Sequence, residues 1–583
     1  MKTWESSKNK PDKSEIPPYK FKSGLPRQTN HISANKSGFI KSTLSSCIGV
    51  FTDIVEPFYW QIANKLKLTE NSRFLNILSL LKRHYILVVT VLMGYFLAKG
   101  IFIYPARYIV IFSFAPVFGI LAFTKPIVGL ILYMVAVLGQ IQDAVWNFPK
   151  FYMGNPLLII VYGGMILNAI LLKETKLEYV HDSLNFPAVG LWLMSFLHVT
   201  FELSQAYQTA VQESCMLAYF ICLHVICSKK QNFRYVLFTL AGIFIFYAYQ
   251  TMRKAAYYGL GTDYTVTSEI AGRMEDNNEL AACLNMALPL IYVASVIIPP
   301  KNKKNLILKF GFLAAFIFTM VAVIYTRSRG GYLTLGAVFT ILSYKFFLKT
   351  SKNRITSILL LCFILTGTYV FYFEKINARI QETVNWETDS SAHNRILSLA
   401  TGIEMMKAHP LTGVGLGKAM PNFVAYCPQI LEMPTSLFGD EKIRIHHPKH
   451  ALVIHNAYAQ VLGETGLPGI ILYLSLVAGA VYKMRRLRKV LPKTEDNEWV
   501  IPVTHALECS FIAFMISSFF LSNAQLEFMY VLAACCASLY YLQIGKDRIQ
   551  NNKLNLIMIA LVVTFTIHWV YLTVGLRVGI IKM

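Results

Sequence analysis

Apolar segments of about 17–25 residues recur along most of the chain, and this repetition limits the fold more than any other feature. Each is long enough to cross a bilayer as a helix, whereas the strands of a membrane β-barrel would give alternating segments of about ten residues. Only 15% of the residues are charged, against roughly a quarter in soluble chains. We therefore predict an all-α polytopic membrane protein with about 12–15 transmembrane helices.

The distribution of basic residues predicts how these helices are oriented. Loops containing Lys229, Lys301, Lys349 and Lys483 all lie on the same side as the N-terminus, whereas the loop at 203–207 on the other side has no Lys or Arg. The positive-inside rule places the basic side in the cytoplasm. The candidate spans lie at 85–104, 108–124, 126–141, 156–173, 186–202, 208–227, 234–252, 280–299, 307–325, 331–348, 355–373, 456–482, 501–521, 526–543 and 554–576.

This arrangement divides the chain into four parts. A basic cytoplasmic tail, 1–84, contains a segment that is either an interfacial helix or a loop, and 85–373 form an N-terminal bundle. A large, partly helical loop at 374–455 lies outside, in the periplasm, and 456–583 form C-terminal transmembrane helices. We expect a multi-pass protein of the bacterial inner membrane whose functional face is periplasmic.

The net charge of +23 and the pattern of the ten cysteines disfavour several classes of partner and site. Basic residues concentrate in the tail and in alternate loops, which favours membrane lipids as partners over nucleic acid. The cysteines form no CxxC pair, so zinc and thioredoxin-type sites are disfavoured.

Two arginines occupy the short outer turn between the spans at 307–325 and 331–348. The sequence there is TRSRGGY, with Arg327 and Arg329 on either side of Ser328. A guanidinium near the hydrocarbon edge is costly unless it is paired or solvated. These arginines either extend to lipid headgroups or hold a phosphate in a half-buried site, and both interpretations stay open.

Two further outer segments carry polar residues that could act with this turn. The large loop contains Arg395, at the start of a predicted helix, and then HPLTGVGLG at 409–417. The glycine-rich stretch is not a GxxxxGK[ST] nucleotide loop and is better interpreted as a tight turn. Before the span at 280–299, Asp276 or Asn277 is placed to cap the helix.

His455 begins the segment HNAYAQVLGETGLPG, which leads from the large loop into the span at 456–482. A histidine in this place is either a hydrogen-bonding residue at the helix start or a general base, because neutral imidazole accepts protons near pH 7. The neighbouring His446, His447 and His450 match no strong zinc spacing, so we expect no metal and no cofactor.

Together these segments resemble the bacterial O-antigen ligase/Wzy polymerase superfamily. The resemblance covers about 270 to 480 and includes the SRGG turn, the stretch from Arg395 to Gly417 and the segment that starts at His455. The run at 275–290 resembles a ligase variant associated with O-glycosylation or exosortase gene clusters. The chain departs from the family in its first 84 residues and in its extra C-terminal spans.

The resemblance implies a metal-independent membrane glycosyltransferase with a C-type architecture, active in polysaccharide or lipopolysaccharide biosynthesis. Its donor would be a glycan linked to undecaprenyl diphosphate, and its acceptor a hydroxyl on a lipid, a protein or another glycan. In the family, arginines of the matching motifs hold the diphosphate and the histidine activates the acceptor, which assigns catalysis to Arg329, Arg395 and His455. We place in the substrate-binding set Arg327, Arg273, Asn456, Tyr458 and Glu464.

The same motifs fit more than one activity. A ligase that moves the finished glycan to an acceptor is favoured, and a Wzy-type polymerase that joins lipid-linked repeat units is the alternative. A transporter of lipid-linked glycans is less favoured, because the sequence shows no convincing internal repeat and its notable charges lie at one rim of the membrane.

Overall fold

The computed structural model describes part of the chain, and the described residues all belong to one compact unit, Phe58–Met583. The tail at 1–84, the predicted spans at 85–104, 355–373 and 554–576, and most of 108–124 lie outside the described residues. The described ranges are 118–139, 154–167, 183–201, 206–258, 276–348, 390–434, 442–446, 448, 451–492, 494, 497–521 and 526–544.

The described part of the chain is mostly helical, with one antiparallel hairpin in the large loop. The first group of elements is α1 (Pro126–Tyr133), α2 (Gly154–Leu167), α3 (Asn185–Phe201), α4 (Ala206–Ile226), α5 (Lys230–Tyr258), α6 (Asn277–Val296), α7 (Lys303–Tyr325) and α8 (Arg329–Leu342). Short π-helical segments follow α1 at Met134–Leu138 and α8 at Ser343–Leu348. The second group is α9 (Ser390–Ala408), α10 (Ala419–Tyr426), β1 (Ile430–Pro434), β2 (Lys442–His446), α11 (Ala457–Val490), α12 (Val500–Ser517) and α13 (Leu526–Ile544).

Six of the described helices are long and apolar enough to cross a membrane, namely α5, α6, α7, α11, α12 and α13. Shorter apolar helices lie at Pro126–Leu138, Leu157–Ile166 and Gln212–Ile226. These helices match the predicted spans in position, so the predicted all-α polytopic membrane class is confirmed.

Helix α6 lies at the centre of the bundle, and α7 lies at its edge. The apolar stretch of α6 is 83% buried, against 28% for α7, and α6 packs against α5, α7, α8 and α12. Small buried residues such as Ala281 and Ala287 allow this close packing. On α7, Ile307 and Phe310 face outward, as expected of a helix surrounded by lipid chains. Hydrogen bonds between the start of α6 and both Thr326 and Ser328 place the turn between α7 and α8 at that end of α6.

Helix α11 is broken at Gly466, whose φ of 67° and ψ of −162° lie outside the helical region. The break frees backbone groups that a regular helix would pair. Leu467 N donates to Pro410 O at 2.8 Å instead of to Gly463 O, and Pro468 has no N–H to give to Glu464 O. The segment 409–417 supplies backbone N–H donors to the two carbonyls that the break leaves without a helical partner.

The glycine-rich segment of the large loop binds directly to this break. Val414 N donates to Gly463 O at 2.9 Å, and Gly415 N donates to Glu464 O at 3.0 Å. Both carbonyls that lost their helical partners are therefore satisfied by the loop. The interpretation of 409–417 as a tight turn is supported, and the turn fixes the large loop on α11.

The described part of the large loop has a small apolar core of its own. Leu397 and Met405 of α9, Phe423 of α10 and Ile445 of β2 are buried together with Ile454. Helix α9 also packs along the first turns of α11. This arrangement holds the start of α9, which carries Arg395, next to the start of α11, which follows His455.

Towards the other end of α11, a buried carboxylate joins three elements. Glu508 of α12 contacts Lys345 Nζ at 2.5 Å, Arg485 Nε at 2.7 Å and Arg488 Nη2 at 2.5 Å. The Glu508 side chain is 3% exposed, so its negative charge is stabilised by these basic groups instead of by water. The contacts fix the end of α11 against α12 and the π-helical segment after α8.

Candidate active site

The turn between α7 and α8 holds two arginines in a constrained backbone. Ser328 caps α8, and its Oγ accepts a hydrogen bond from Gly331 N at 2.9 Å. Arg327, immediately before the cap, has a φ of 54°, which is costly for a residue other than glycine. Arg327 and Arg329 lie on either side of the capping Ser328 in the sequence, and both are half-buried.

Three asparagines of α6 hold this turn by direct hydrogen bonds. Asn278 Oδ1 accepts from Ser328 Oγ at 2.6 Å, and Asn277 Nδ2 donates to Thr326 O at 3.1 Å. About two turns further along α6, the fully buried Asn285 donates from Nδ2 to Gly331 O at 2.9 Å. The central helix therefore determines where the arginine turn lies.

Asp276 caps α6, which confirms one of the two predicted caps. Its carboxylate accepts from Asn278 N at 2.9 Å and from Asn278 Nδ2 at 3.0 Å. The second contact orients the amide of Asn278, whose oxygen is the acceptor for Ser328. The sequence signalled the cap, but it did not indicate that the following asparagines support the arginine turn.

Phe520, which follows α12, connects the large loop to the arginine turn. The Arg395 guanidinium carbon lies 5.6 Å from the centre of the Phe520 ring, within the range of a cation–π contact. The same ring packs on Gly330, where an added Cβ would lie 2.8 Å from the ring. Glycine is therefore needed at 330 for close approach, and the ring brings Arg395 next to the start of α8.

His455 is half-buried at the start of α11, where it is influenced by charges from two other predicted segments. Burial lowers its pKa below the usual value, because a charged imidazolium is poorly solvated there. The positive charge of Arg395 lowers the pKa further, while the negative charge of Asp276 acts in the opposite direction. His455 is therefore neutral near pH 7, the form that can accept a proton.

Backbone and side-chain contacts fix the start of α11 against the end of α12. Asn456 caps α11 by accepting from Ala459 N at 2.9 Å, and Ala457 N donates to Ser518 O at 2.8 Å. Tyr458 donates from its hydroxyl to Met515 O at 2.8 Å. Asn456 and Tyr458 thus hold the helix on which His455 depends, and their contact with substrate stays a prediction.

Glu464 is buried where α11 meets the large loop. Its Oε1 accepts from Ala419 N at 3.3 Å and from Gln460 Nε2 at 3.1 Å, and its side chain is enclosed. These contacts attach the start of α10 to α11 near the break at Gly466. A role in binding substrate stays a prediction for Glu464, and Arg273 lies outside the described residues, as do His447 and His450.

The structure thus brings together the three segments that the sequence singled out. Arg395 lies over a ring that packs on the first turn of α8, and His455 is electrostatically coupled to Arg395 and to the cap of α6. A set of guanidinium groups can bind phosphate oxygens, and a neutral imidazole can accept a proton. The arrangement is suited to general-base chemistry on a substrate that carries phosphate.

Comparison with known proteins identifies the same region of the chain. Residues 314–474 match a family model described as O-antigen ligase. The matched segment contains the arginine turn, Arg395 and His455, whereas α6 and Phe520 lie outside it. The search of curated proteins found no relative that matches this chain.

Proposed function

We propose that this chain is a glycosyltransferase of the O-antigen ligase/Wzy superfamily, which transfers a glycan from an undecaprenyl-diphosphate-linked donor to an acceptor hydroxyl. The observation that carries the proposal is the meeting of Arg395, the arginine turn and His455 at one rim of a membrane-spanning bundle. A lipid diphosphate lies at headgroup depth, which is the depth of a turn at the end of a spanning helix such as α7.

The arginines bind the donor diphosphate and stabilise its departure. A glycan on diphosphate is already activated, so the reaction needs no nucleotide. As the bond between the anomeric carbon and the phosphate oxygen breaks, negative charge develops on the diphosphate. Arg327, Arg329 and Arg395 stabilise this charge, because guanidinium groups offer planar pairs of donors to phosphate oxygens.

His455 activates the acceptor. Its neutral imidazole accepts the proton of the acceptor hydroxyl as that oxygen forms a bond to the anomeric carbon, and undecaprenyl diphosphate leaves. Attack from the side opposite the diphosphate inverts the anomeric configuration in a single displacement. The half-buried position of His455 keeps the imidazole neutral and therefore ready to act as the base.

A ligase fits the matched family better than a polymerase does, because the family model is described as O-antigen ligase. The site itself serves either reaction, since both join the same type of donor to a hydroxyl. Deletion of the gene separates them: loss of a ligase leaves long glycans on the lipid carrier, whereas loss of a polymerase leaves single repeat units.

The proposed location is the bacterial inner membrane, with the site facing the periplasm. In support, basic residues gather away from the site: Lys230 and Arg234 both lie over the ring of Trp499, and Arg485 and Arg488 lie near the end of α11. An excess of Lys and Arg at one end of a bundle is typical of the cytoplasmic side, and tryptophan is enriched at either interface.

A transfer assay with the full-length protein tests the proposal. The wild-type protein, in liposomes with an undecaprenyl-diphosphate-linked glycan and a hydroxyl acceptor, is expected to form a product of inverted configuration by NMR. His455→Ala should lower the rate by roughly 10²- to 10⁴-fold, because it removes the general base.

The matched control is His409→Ala, which removes another loop histidine, one that contacts the Tyr426 hydroxyl at 2.8 Å. The control should retain activity, and both variants should insert and melt like the wild-type protein. Full activity of His455→Ala, or a product of retained configuration, would reject the mechanism.

A further inference from the structure

The connection between α12 and α13 contributes to the site although it lies beyond the matched segment 314–474. The backbone turns here through hydrogen bonds from Phe519 N to Ile516 O at 3.3 Å and from Phe520 N to Ser517 O at 2.8 Å. Ser518 O accepts from Ala457 N, so the connection is attached to the start of α11. Phe520 therefore projects from a fixed piece of backbone.

The Phe520 ring contacts both the start of α8 and Arg395. Gly330 brings the backbone of α8 against Cγ and Cδ2 of the ring, at 2.8 and 2.9 Å from the position of a Cβ. The guanidinium carbon of Arg395 lies 5.6 Å from the centre of the ring. The ring thus links the first turn of α8 to Arg395.

An aromatic ring suits this task better than a carboxylate would. A carboxylate partner would neutralise Arg395 and compete with phosphate for its hydrogen-bond donors. A cation–π contact attracts the guanidinium through the face of the ring and uses none of its N–H donors. It also limits the rotamers that the long Arg side chain would otherwise explore.

We infer that Phe520 is a positioning residue, whose ring holds Arg395 beside the start of α8 so that Arg395 and Arg329 act on the same donor diphosphate. The inference rests on the proposed function. It assigns no chemical step to the ring, and all of its effect passes through Arg395.

A double-mutant cycle on the full-length protein tests this dependence. Phe520→Leu should weaken the binding of undecaprenyl diphosphate, and raise the donor KM in the transfer assay, by about 3- to 30-fold. The acceptor KM should not change. In an Arg395→Gln background the same substitution should have no further effect, because the group on which the ring acts is gone.

Two further variants separate positioning from folding. Phe520→Tyr keeps a ring face and should restore donor binding to near the wild-type value. Phe312→Leu removes a ring from α7 that packs on Phe238 at 5.7 Å, so it reports the general cost of losing an aromatic side chain. Phe520→Leu should also move the acid limb of the pH profile upward, since a displaced Arg395 no longer lowers the pKa of His455.

The outcomes for the inference and for the proposed function are distinguishable. Wild-type binding of the donor diphosphate without transfer would reject the proposed reaction but leave the cycle interpretable. Donor binding by Phe520→Leu equal to that of the wild type, or an equal loss in the Arg395→Gln background, would overturn the inference. Failure of the wild-type protein to bind the diphosphate would overturn both.

Discussion

Replacement of Gly466 by alanine should destabilise the protein more than replacement of any ordinary helical glycine. The φ of 67° and ψ of −162° at this position belong to a region that is essentially restricted to glycine. An added Cβ would lie 2.5 Å from Pro410 O and 3.1 Å from Gly413 N. The alanine variant must therefore strain its own backbone and displace the loop segment that binds to the break in α11.

The expected cost combines these two effects. A residue other than glycine in such a conformation costs about 1–3 kcal/mol. Displacement of Pro410 O weakens its hydrogen bond from Leu467 N, which contributes about 1 kcal/mol. The matched control is Gly336→Ala in α8, where an added Cβ meets no atom within 4 Å. That change should be neutral or stabilise by up to about 1 kcal/mol through helix propensity.

Thermal unfolding of the purified protein and its transfer rate measure the two consequences. Gly466→Ala should lower the melting temperature by about 2–3 °C and lower the transfer rate, because the first turns of α11 no longer hold His455 in place. A Gly466→Ala protein that is as stable and as active as Gly336→Ala would refute the argument that the break and the loop are mutually required.

The pH profile and three further substitutions test the charges around His455 and the support of the arginine turn. Because His455 must be neutral to accept a proton, kcat/KM should rise with pH and level off above a midpoint lower than the usual histidine pKa of about 6.5. Asp276→Asn keeps the cap on α6 and should shift that midpoint to lower pH, whereas Arg395→Gln should shift it to higher pH; shifts in the opposite directions would contradict the charge assignment. Asn278→Leu removes the acceptor of Ser328 Oγ and should weaken donor binding roughly 10-fold without changing the acceptor KM, and equal changes in both constants would indicate general damage instead.

Composition and apolar length were sufficient to predict most of the described helices, but not their ends. The span predicted at 307–325 corresponds to Lys303–Tyr325, whereas the span predicted at 234–252 corresponds to the longer helix Lys230–Tyr258. Hydropathy reports the part of a helix that suits the hydrocarbon layer. Backbone hydrogen bonding continues past that layer through polar residues such as Gln231 and Arg253, which hydropathy excludes.

The break in α11 could be predicted only in part from the residues around it. The GLPG sequence at 466–469 contains residues that interrupt helices, yet a single span was predicted at 456–482. The features that stabilise the break are donors from Val414 and Gly415 of the large loop. Those donors belong to a different segment, and periodicity in one segment contains no information about its partner.

The site was predicted as three convergent segments, and its supports were not predicted. Arg327, Arg329 and His455 are noticeable because charged and titratable groups at the ends of apolar helices are conspicuous in a sequence. Arg395 belongs to the stretch that carries the family resemblance. An asparagine or a phenylalanine in the same places is unremarkable. Their roles depend on contacts between distant positions, such as the hydrogen bond from Ser328 to an asparagine of α6, 50 residues away.

The arginines near the two ends of α11 have different kinds of contact. Near the end of α11, the carboxylate of Glu508 contacts Arg485 and Arg488, so that these charges stabilise the packing of helices. At the site, the arginine turn is held by amide groups of α6, and Arg395 lies on a neutral ring. The amide groups and the ring therefore set where the guanidinium groups lie. Removal of either kind of support is expected to weaken binding of the donor diphosphate, because the guanidinium groups would no longer be held in one place.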